Sequence, residues 1–189
     1  MATFFSSSSS LFAFVFFLAH HAPTAASTHY HNHHKLKTLN FSLFQQETTN
    51  KTGFVIVKGV EAGTAPNFAL PFGSMVVSMD PLTLKPDPSS EVAGVLEGTF
   101  IASTLDGLRN LAILTLRIKQ VMGHEGWVYI LGSVHNTKVS VVPVVGGTGD
   151  FLFVQGYVTY SPVSLKPPSF TYKFEFNLFW PPYATPGSY

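Results

Sequence analysis

The sequence of 189 residues contains no cysteine. This absence excludes disulfides, cysteine-ligated zinc, iron–sulfur clusters and thiol nucleophiles. Charged residues are also scarce, at 11% of the chain against about 25% in an average soluble domain. A net charge of +1 argues against a nucleic-acid-binding protein, which needs a clustered basic face. Aromatic residues are abundant, with 18 Phe and 7 Tyr, so we expect a folded core rather than a disordered chain.

The first part of the chain differs from the rest because no Asp, Glu, Lys or Arg precedes Lys35. Within it, Leu11–Ala19 is an apolar run about half as long as the roughly 20 residues that a membrane-spanning helix needs. Small residues follow the run, and the pattern predicts a secretory signal peptide over residues 1–26. We therefore expect a secreted, extracellular protein that has no membrane association after cleavage.

Residues 27–38 form a polar, histidine-rich tail in which His29–His34 contains four histidines. Histidine clusters of this kind can bind transition metals. No carboxylate or thiol accompanies them, and a specific metal site needs a held geometry. We interpret the segment as a solvated tail and expect no metal site.

Because secreted proteins can carry N-linked glycans, the expected secretion makes two Asn-X-Ser/Thr sequons relevant. Asn50 lies between two apolar runs, where a turn exposes it, and Asn40 lies at the start of a strand. Both are candidate glycosylation sites, with Asn50 the stronger.

Residues 39–189 form the predicted domain, and they show short strands separated by turn residues. The clearest strand alternates large apolar residues with polar ones over eleven positions, which indicates one buried face. The turn-forming residues are Pro81, Pro86–Pro88, Gly146–Gly149 and Pro167–Pro168. The eight predicted strands are Leu39–Glu47, Gly53–Gly59, Phe72–Asp80, Glu91–Thr104, Asn110–Gln120, Gly126–Gly132, Asp150–Tyr160 and Phe170–Trp180.

Eight short strands without a helical stripe predict an all-β antiparallel sandwich or closed barrel. An eight-stranded barrel has an interior that side chains fill or that holds one small ligand. Phe54–Val57 and Val139–Val145 are apolar on both faces, whereas a barrel surrounded by water should show polar outward positions. The surplus apolar surface predicts a homo-oligomer.

Several ordered motifs carry a family resemblance that extends from Leu39 to Tyr183. They are Pro71–Gly73, Asp80–Thr83, Val95–Gly98, Pro143–Phe151 and Gly156–Tyr157. In these motifs the chain resembles the plant dirigent proteins, and in Phe151–Tyr157 and Phe179–Tyr183 it is similar to a subgroup distant from the lignan-forming members.

The resemblance implies an eight-stranded antiparallel β-barrel, a trimer, secretion to the cell wall space and a small phenolic ligand, with no cofactor. Lignan-forming dirigent proteins guide the coupling of phenoxy radicals that an external oxidase, a laccase or peroxidase, produces. The pterocarpan synthases of the same family instead remove water from an isoflavanol through a quinone methide.

The chain departs from the lignan-forming pattern at several positions. Gln46 and Glu47 stand where those relatives have a His-Asp pair, and Met79 stands in place of the first residue of their Asp-Asp motif. Leu152 and Gln155 replace arginines, and a further arginine of those relatives falls in Ser140–Val142, where no charge remains. The missing arginines favour dehydration or simple binding over lignan coupling.

Elimination through a quinone methide needs one acid to protonate the leaving hydroxyl and one base for the phenolic proton. Glu47 is the first candidate, because it shares a strand face with apolar residues and a carboxyl in an aromatic lumen stays protonated. Asp80 is the second, although an Asp before a proline is also typical of a turn. Gln155, Tyr157 and Phe153 are candidates for binding the phenol, although packing explains Tyr157 equally well.

Three functions therefore remain open. The chain is either a guide that controls the stereochemistry of a phenoxy-radical or quinone-methide intermediate, a cofactor-free dehydratase of the pterocarpan-synthase type, or a phenol-binding defence protein without turnover. Turnover without an oxidase distinguishes the second from the first, and binding without turnover distinguishes the third.

Overall fold

The computed structural model describes residues 36–60 and 69–184, which form nine β-strands. The strands are β1 (Lys37–Thr48), β2 (Gly53–Val57), β3 (Met75–Thr83), β4 (Val92–Ala102), β5 (Arg109–Val121), β6 (His124–His135), β7 (Ser140–Gly149), β8 (Gln155–Lys166) and β9 (Ser169–Trp180). Every pairing between them is antiparallel. Among the described residues no helix is long and apolar enough to cross a membrane.

The sheet closes on itself through its first strand. The strand order is β1-β9-β8-β7-β6-β5-β4-β3-β2, and β1 also pairs with β3. This closing contact joins Phe44 to Thr83 and Gln45 to Leu82. Eight strands therefore form the ring, while β2 continues along the edge of β3 that β1 has left, beginning where Gly53 pairs with Ser78. The predicted eight-stranded antiparallel barrel is confirmed.

Alternation along the strands decides which side chains fill the barrel. In β9 the apolar residues Phe174, Phe176, Leu178 and Trp180 are all buried, and the polar residues between them are half-exposed. A period of two places these apolar residues on the inner face. Full burial of each such side chain stabilises the fold by about 1.5–3 kcal/mol.

Aromatic side chains close one end of the barrel. Trp180 and Phe151 are almost completely buried with ring centroids 6.4 Å apart, and the Trp180 indole Nε1 donates a hydrogen bond to the carbonyl of Leu152 at 3.1 Å. The Lys37 ammonium lies 4.7 Å from the centre of the Trp180 ring. The barrel therefore has a closed end here, which leaves space only toward the opposite end.

The predictions around β7 are wrong, because this strand was not among the eight predicted ones. Gly146–Gly149 is part of β7 rather than a turn, and residues 150–154 form the turn that was assigned to the following strand. Gly147 serves close packing, because a Cβ added to it would lie 2.7 Å from the carbonyl oxygen of Trp127 on β6. A Gly-rich segment is typical of a turn only where neighbouring backbones leave it free.

The prediction of a turn at Pro81 is also wrong, since β3 continues to Thr83. On one side Pro81 pairs with Val95 of β4. On the other side it falls between Leu82, which pairs with β1, and Ser78, which pairs with β2. A proline is tolerated in a strand where no ladder partner needs its N–H.

The predicted N-terminal segments fall largely outside the described residues. This holds for the signal peptide over residues 1–26 and for the histidines of the tail. The tail was predicted to reach residue 38, whereas β1 begins at Lys37.

Much of the outer surface around β5 is apolar. Ile113 is 49% exposed and lies between Thr99 of β4 and Leu131 of β6 in the pairing. Met79 on β3 and Val141 on β7 are exposed as well. We call the outward face of these five strands, β3 to β7, the outer apolar face.

The close backbone packing between β8 and β9 can be tested by substituting a glycine. A Cβ on Gly156, whose φ is 137°, would lie 2.1 Å from the carbonyl oxygen of Asn177. We expect Gly156→Ala to lower the free energy of unfolding by more than about 3 kcal/mol. Gly123→Ala is the control, because its φ is 79° but nothing lies within 4 Å of the added carbon, so we expect a loss of about 1 kcal/mol. Chemical denaturation measures both, and equal losses would contradict this account.

Candidate functional site

A cavity of about 520 Å³ opens at the end of the barrel opposite Trp180. Its rim residues Thr49, Thr137 and Pro167 are exposed, so the cavity is accessible from solvent. The polar side chains in its wall are widely spaced along the sequence but converge on one space. They are Glu47, Asn110, Asn136, Tyr160 and Tyr172, and the apolar ones include Val76, Phe100, Leu165 and Phe170.

Glu47 is the acidic residue in this wall. It lies near the end of β1, opposite Phe170 of β9, and follows Leu43 and Gln45 on the inner face. Its carboxyl lies against Gly53, where an added Cβ would be 3.0 Å from Oε1. The glycine therefore lets the backbone of β2 approach the carboxyl closely.

The environment of Glu47 favours its neutral form. Burial, and to a smaller extent the nearby Asp80 carboxylate, together raise the pKa of Glu47 from 4.5 to about 7. At neutral pH a substantial fraction of the Glu47 carboxyl is protonated. This is the state that a general acid needs.

Asp80 lies behind Glu47, outside the described cavity wall, and is completely buried. Burial raises its pKa, although the hydroxyl of Thr52 and the amide of Gln45 oppose this effect. Gln45 Nε2 donates a hydrogen bond to Asp80 Oδ2 at 2.6 Å. Asp80 Oδ1 has no hydrogen bond of good geometry among the described residues.

Two tyrosines complete the wall beside Glu47, and the sequence analysis did not identify them. Tyr160 on β8 and Tyr172 on β9 stack with ring centroids 4.7 Å apart. Burial is the main cause that raises the pKa of both phenols, and the Glu47 carboxylate contributes to both shifts. Both hydroxyls therefore stay neutral and can act as hydrogen-bond donors to a ligand.

Two amides occupy the far wall, and these were also missed. Asn110 Nδ2 donates a hydrogen bond to Asn136 Oδ1, and Asn136 Nδ2 donates to the carbonyl of Gly107 at 3.1 Å. This chain fixes the orientation of both amides. A ligand in the cavity thus meets an acidic and phenolic wall on one side and an amide wall on the other.

The comparison with protein families gives a direct assignment, because a profile for dirigent-like proteins matches residues 38–180. The chain belongs to the dirigent family. It is 30% identical over 125 residues to Pterocarpan synthase 1 of Glycyrrhiza echinata, covering 65% of each protein. Over 91 residues it is 30% identical to Pterocarpan synthase 1 of Glycine max, covering 47% of this chain and 49% of the relative. The chain thus spans about half to two thirds of the length of these relatives.

A solved dirigent structure shares the barrel. The pterocarpan synthase dirigent protein PsPTS1 superposes with a TM-score of 0.67 at 21% identity, covering 76% of this chain and 96% of that chain. This structural similarity shows that the present chain has the same barrel fold.

The three residues predicted to bind a phenol do not line the cavity of this dirigent. Phe153 lies in the turn before β8, and Gln155 and Tyr157 begin β8. All three are exposed, with Tyr157 at 45%. On β8 the buried residues are Val158 and Tyr160, so the inner face carries the even-numbered positions. The structure brings Glu47 close to Asp80 but not to these three residues.

The two sequons occupy different backbone settings in this dirigent. Asn50 is exposed in a turn with a φ of 59°. Asn40 is exposed within β1, where it pairs with Asn177. Glycosylation at either position stays a prediction.

Metal-binding groups are sparse in the described part of the chain. No cluster of three or more His, Asp or Glu side chains occurs within residues 36–60 and 69–184. The histidines of the predicted tail lie outside these ranges.

The raised pKa of Glu47 makes stability depend on pH. Below pH 4.5 the carboxyl is neutral in both states, but between pH 4.5 and about 7 only the folded protein keeps the proton. Stability therefore falls as the pH rises through this window, by about 3 kcal/mol in total. We expect Glu47→Gln to stabilise the protein by this amount at pH 8.5 and to have little effect at pH 4.5.

Urea denaturation at the two pH values measures this difference. Glu97→Gln on β4 is the matched control, because Glu97 lies outside the cavity wall. A Glu47→Gln variant that is equally stabilised at both pH values would show that the charge of Glu47 costs nothing in the folded protein.

Proposed function

We propose that this dirigent is a cofactor-free dehydratase of the pterocarpan-synthase type, which binds a phenolic benzylic alcohol such as an isoflavanol in the cavity. The observation that carries the proposal is a protonatable carboxyl, Glu47, in a cavity wall whose other described side chains are all uncharged. The 30% identity to two pterocarpan synthases supports the same class of reaction.

The proposed reaction needs one proton donor at the benzylic carbon. The Glu47 carboxyl donates its proton to the leaving hydroxyl, the carbon–oxygen bond breaks and water leaves with the bonding electrons. A hydroxyl on the same ring releases its proton to water at the open rim, which produces a neutral quinone methide. A second phenol oxygen then bonds to the benzylic carbon and passes its proton to Glu47, while the ring hydroxyl regains a proton.

Asp80 has a positioning role in this proposal rather than a direct catalytic one. It does not line the cavity, but its carboxylate helps to keep Glu47 protonated. Tyr160 and Tyr172 present neutral hydroxyls and aromatic rings to the substrate, which stabilise and orient a flat phenol. Binding of the planar intermediate against one wall would control the face on which the second phenol attacks.

The described cavity wall has no cationic side chain, and this favours dehydration over radical coupling. None of the wall residues is Lys, Arg or His. The sequence has uncharged residues where lignan-forming relatives are expected to have arginines. The geometry therefore offers an acid for dehydration and no cation to anchor an acidic oxygen.

Incubation of the purified protein with a panel of isoflavanols, with and without a laccase and coniferyl alcohol, tests the function. We expect loss of water from an isoflavanol without any oxidant, and a fall of at least about 100-fold in rate for Glu47→Gln. Glu97→Gln should keep the wild-type rate. Enantiomeric excess only in the oxidised coniferyl reaction would instead indicate a radical guide, and binding without turnover would indicate a phenol-binding protein.

We further propose that the protein is secreted and self-associates, as the leader pattern and the outer apolar face suggest. Ile113 and Leu131 pair with each other at the centre of this face. Burial of such a face between copies removes apolar area from water.

Light scattering at micromolar concentration tests the association. We expect the mature wild-type protein to have an oligomeric mass, with a trimer expected from the family resemblance. Ile113→Glu combined with Leu131→Glu should reduce the mass to that of a monomer, because it would bury unpaired charges. Thr159→Glu on β8, outside the outer apolar face, is the control. A monomeric wild type would overturn the proposal.

A further inference from the structure

We propose that the side-chain oxygen of Asn110 selects ligands that carry a hydroxyl, rather than a methyl ether, at the end remote from Glu47. Asn136 is then a positioning residue, which holds the Asn110 amide in the orientation that presents this oxygen. The inference rests on the proposed binding of a phenol in the cavity, and it gives the far wall a role in the choice of substrate.

Asn110 is a polar residue in an otherwise apolar row. It stands at the second position of β5 and is 9% exposed. Its pairing neighbours, Ala102 of β4 and Val134 of β6, are buried and apolar. An amide in such surroundings is costly unless its polar atoms have partners. The residues that follow it on the inner face of β5 are Ala112, Leu114, Leu116 and Ile118.

A backbone carbonyl fixes the direction of both amides. Asn136 Nδ2 donates to the carbonyl oxygen of Gly107 at 3.1 Å, and a carbonyl oxygen can only accept. The oxygen of Asn136 therefore faces Asn110, which presents its Nδ2 as the donor. A half turn of either amide alone would bring two nitrogens or two oxygens together. The atom of Asn110 that remains is thus Oδ1, an acceptor.

Asn110 Oδ1 is unpaired but open to the cavity. No described residue donates a hydrogen bond to it. It is not among the sealed side-chain atoms without a partner in the described residues, which are Gln45 Oε1, Ser78 Oγ and Asp80 Oδ1. Because Asn110 lines the cavity, a ligand that fills this space displaces water from the oxygen. Only a group that donates a hydrogen bond replaces what is lost.

A hydroxyl and a methyl ether differ at this atom in one decisive respect. A phenolic hydroxyl can donate to Asn110 Oδ1, whereas an ether oxygen has no hydrogen and can only accept. An ether at this position would place two acceptors against each other and leave the amide oxygen unpaired. The discrimination therefore comes from the lost hydrogen bond rather than from the size of the methyl group.

The position of Asn110 in the ring explains why it contacts the remote end of a ligand. Glu47 is on β1 and Asn110 is on β5, with β3 and β4 between them along the shorter side of the ring. Both side chains line the same cavity of about 520 Å³, a volume that suits one small ligand. A phenol whose reacting carbon lies at Glu47 therefore extends its other end toward Asn110.

Isothermal titration calorimetry with isoflavans tests the inference without turnover, since an isoflavan lacks the leaving hydroxyl. The two ligands are an isoflavan with one hydroxyl at each end and its dimethyl ether. We expect the wild type to bind the dihydroxy compound at least about tenfold more tightly. Asn110→Leu should lower this preference about tenfold by weakening the binding of the dihydroxy compound. Leu is no smaller than Asn, so this variant makes no extra room for a methyl group.

Asn136→Leu tests the positioning role. The Asn110 amide then lacks the partner that fixes it, so it can turn its Nδ2 toward an ether oxygen. We expect the preference to fall because the dimethyl ether binds more tightly, whereas equal weakening of both ligands would overturn the positioning role. Asn177→Leu on the outer face of β9, outside the cavity wall, is the control and should keep the wild-type preference.

The two proposals fail separately. Equal binding of the two isoflavans by the wild type, or an unchanged preference in Asn110→Leu, would overturn the selection by Asn110 even if isoflavanols are dehydrated. Failure of both isoflavans to bind the wild type would overturn it as well. A preference that depends on Asn110, without any dehydration, would support the selection and reject the proposed dehydratase.

Discussion

The pairing of β1 with β3 is the constraint on which the rest of the structure depends. It involves only Phe44 and Gln45 of β1, yet it closes an otherwise open sheet into a barrel. Because β1 then leaves the edge of β3 and β2 replaces it, the closing seam is interrupted at residues 48–52. The interruption lies beside Glu47. Because β1 and β3 pair just before it, Glu47 of β1 lies close to Asp80 of β3. The candidate site is therefore a direct consequence of barrel closure.

The asymmetry of the barrel determines where chemistry is possible. Trp180, Phe151 and Leu178 fill one end, so ligand space exists only toward the other end. A wall with few polar groups gives that space a low effective dielectric constant, which is the main cause of the raised pKa of Glu47. The packing that stabilises the fold thus also keeps the Glu47 carboxyl protonated. At high pH the ionised Glu47 carboxyl lowers the free energy of unfolding.

Sequence patterns predicted the elements that have one strongly apolar face. The alternation of β9 is unambiguous, and the inner position of Glu47 follows from its neighbours Leu43 and Gln45 on β1. On β8 the same reasoning selected Gln155 and Tyr157, which lie on the outer face, whereas Tyr160 faces the cavity. Both faces of β8 carry apolar or aromatic residues, and an error of one residue exchanges the two faces of a strand. Asn110 and Asn136 are 26 positions apart, and only the β5–β6 register brings them together.

The charges of the cavity wall explain which class of reaction it can support. A benzylic alcohol, a quinone methide and the ring-closed product are all neutral, so none of them needs a counter-ion inside the barrel. An ionised phenol would be desolvated beside Glu47 and Asp80, with no cation in the described wall to offset the repulsion. A phenol that enters this cavity would therefore bind more favourably in its neutral form than as a phenolate. Because the rim of the cavity is exposed, Glu47 can regain its proton either from the attacking phenol or from water. A substrate whose own hydroxyl closes the new ring holds that proton donor next to the reacting carbon, which favours ring closure over loss of the intermediate.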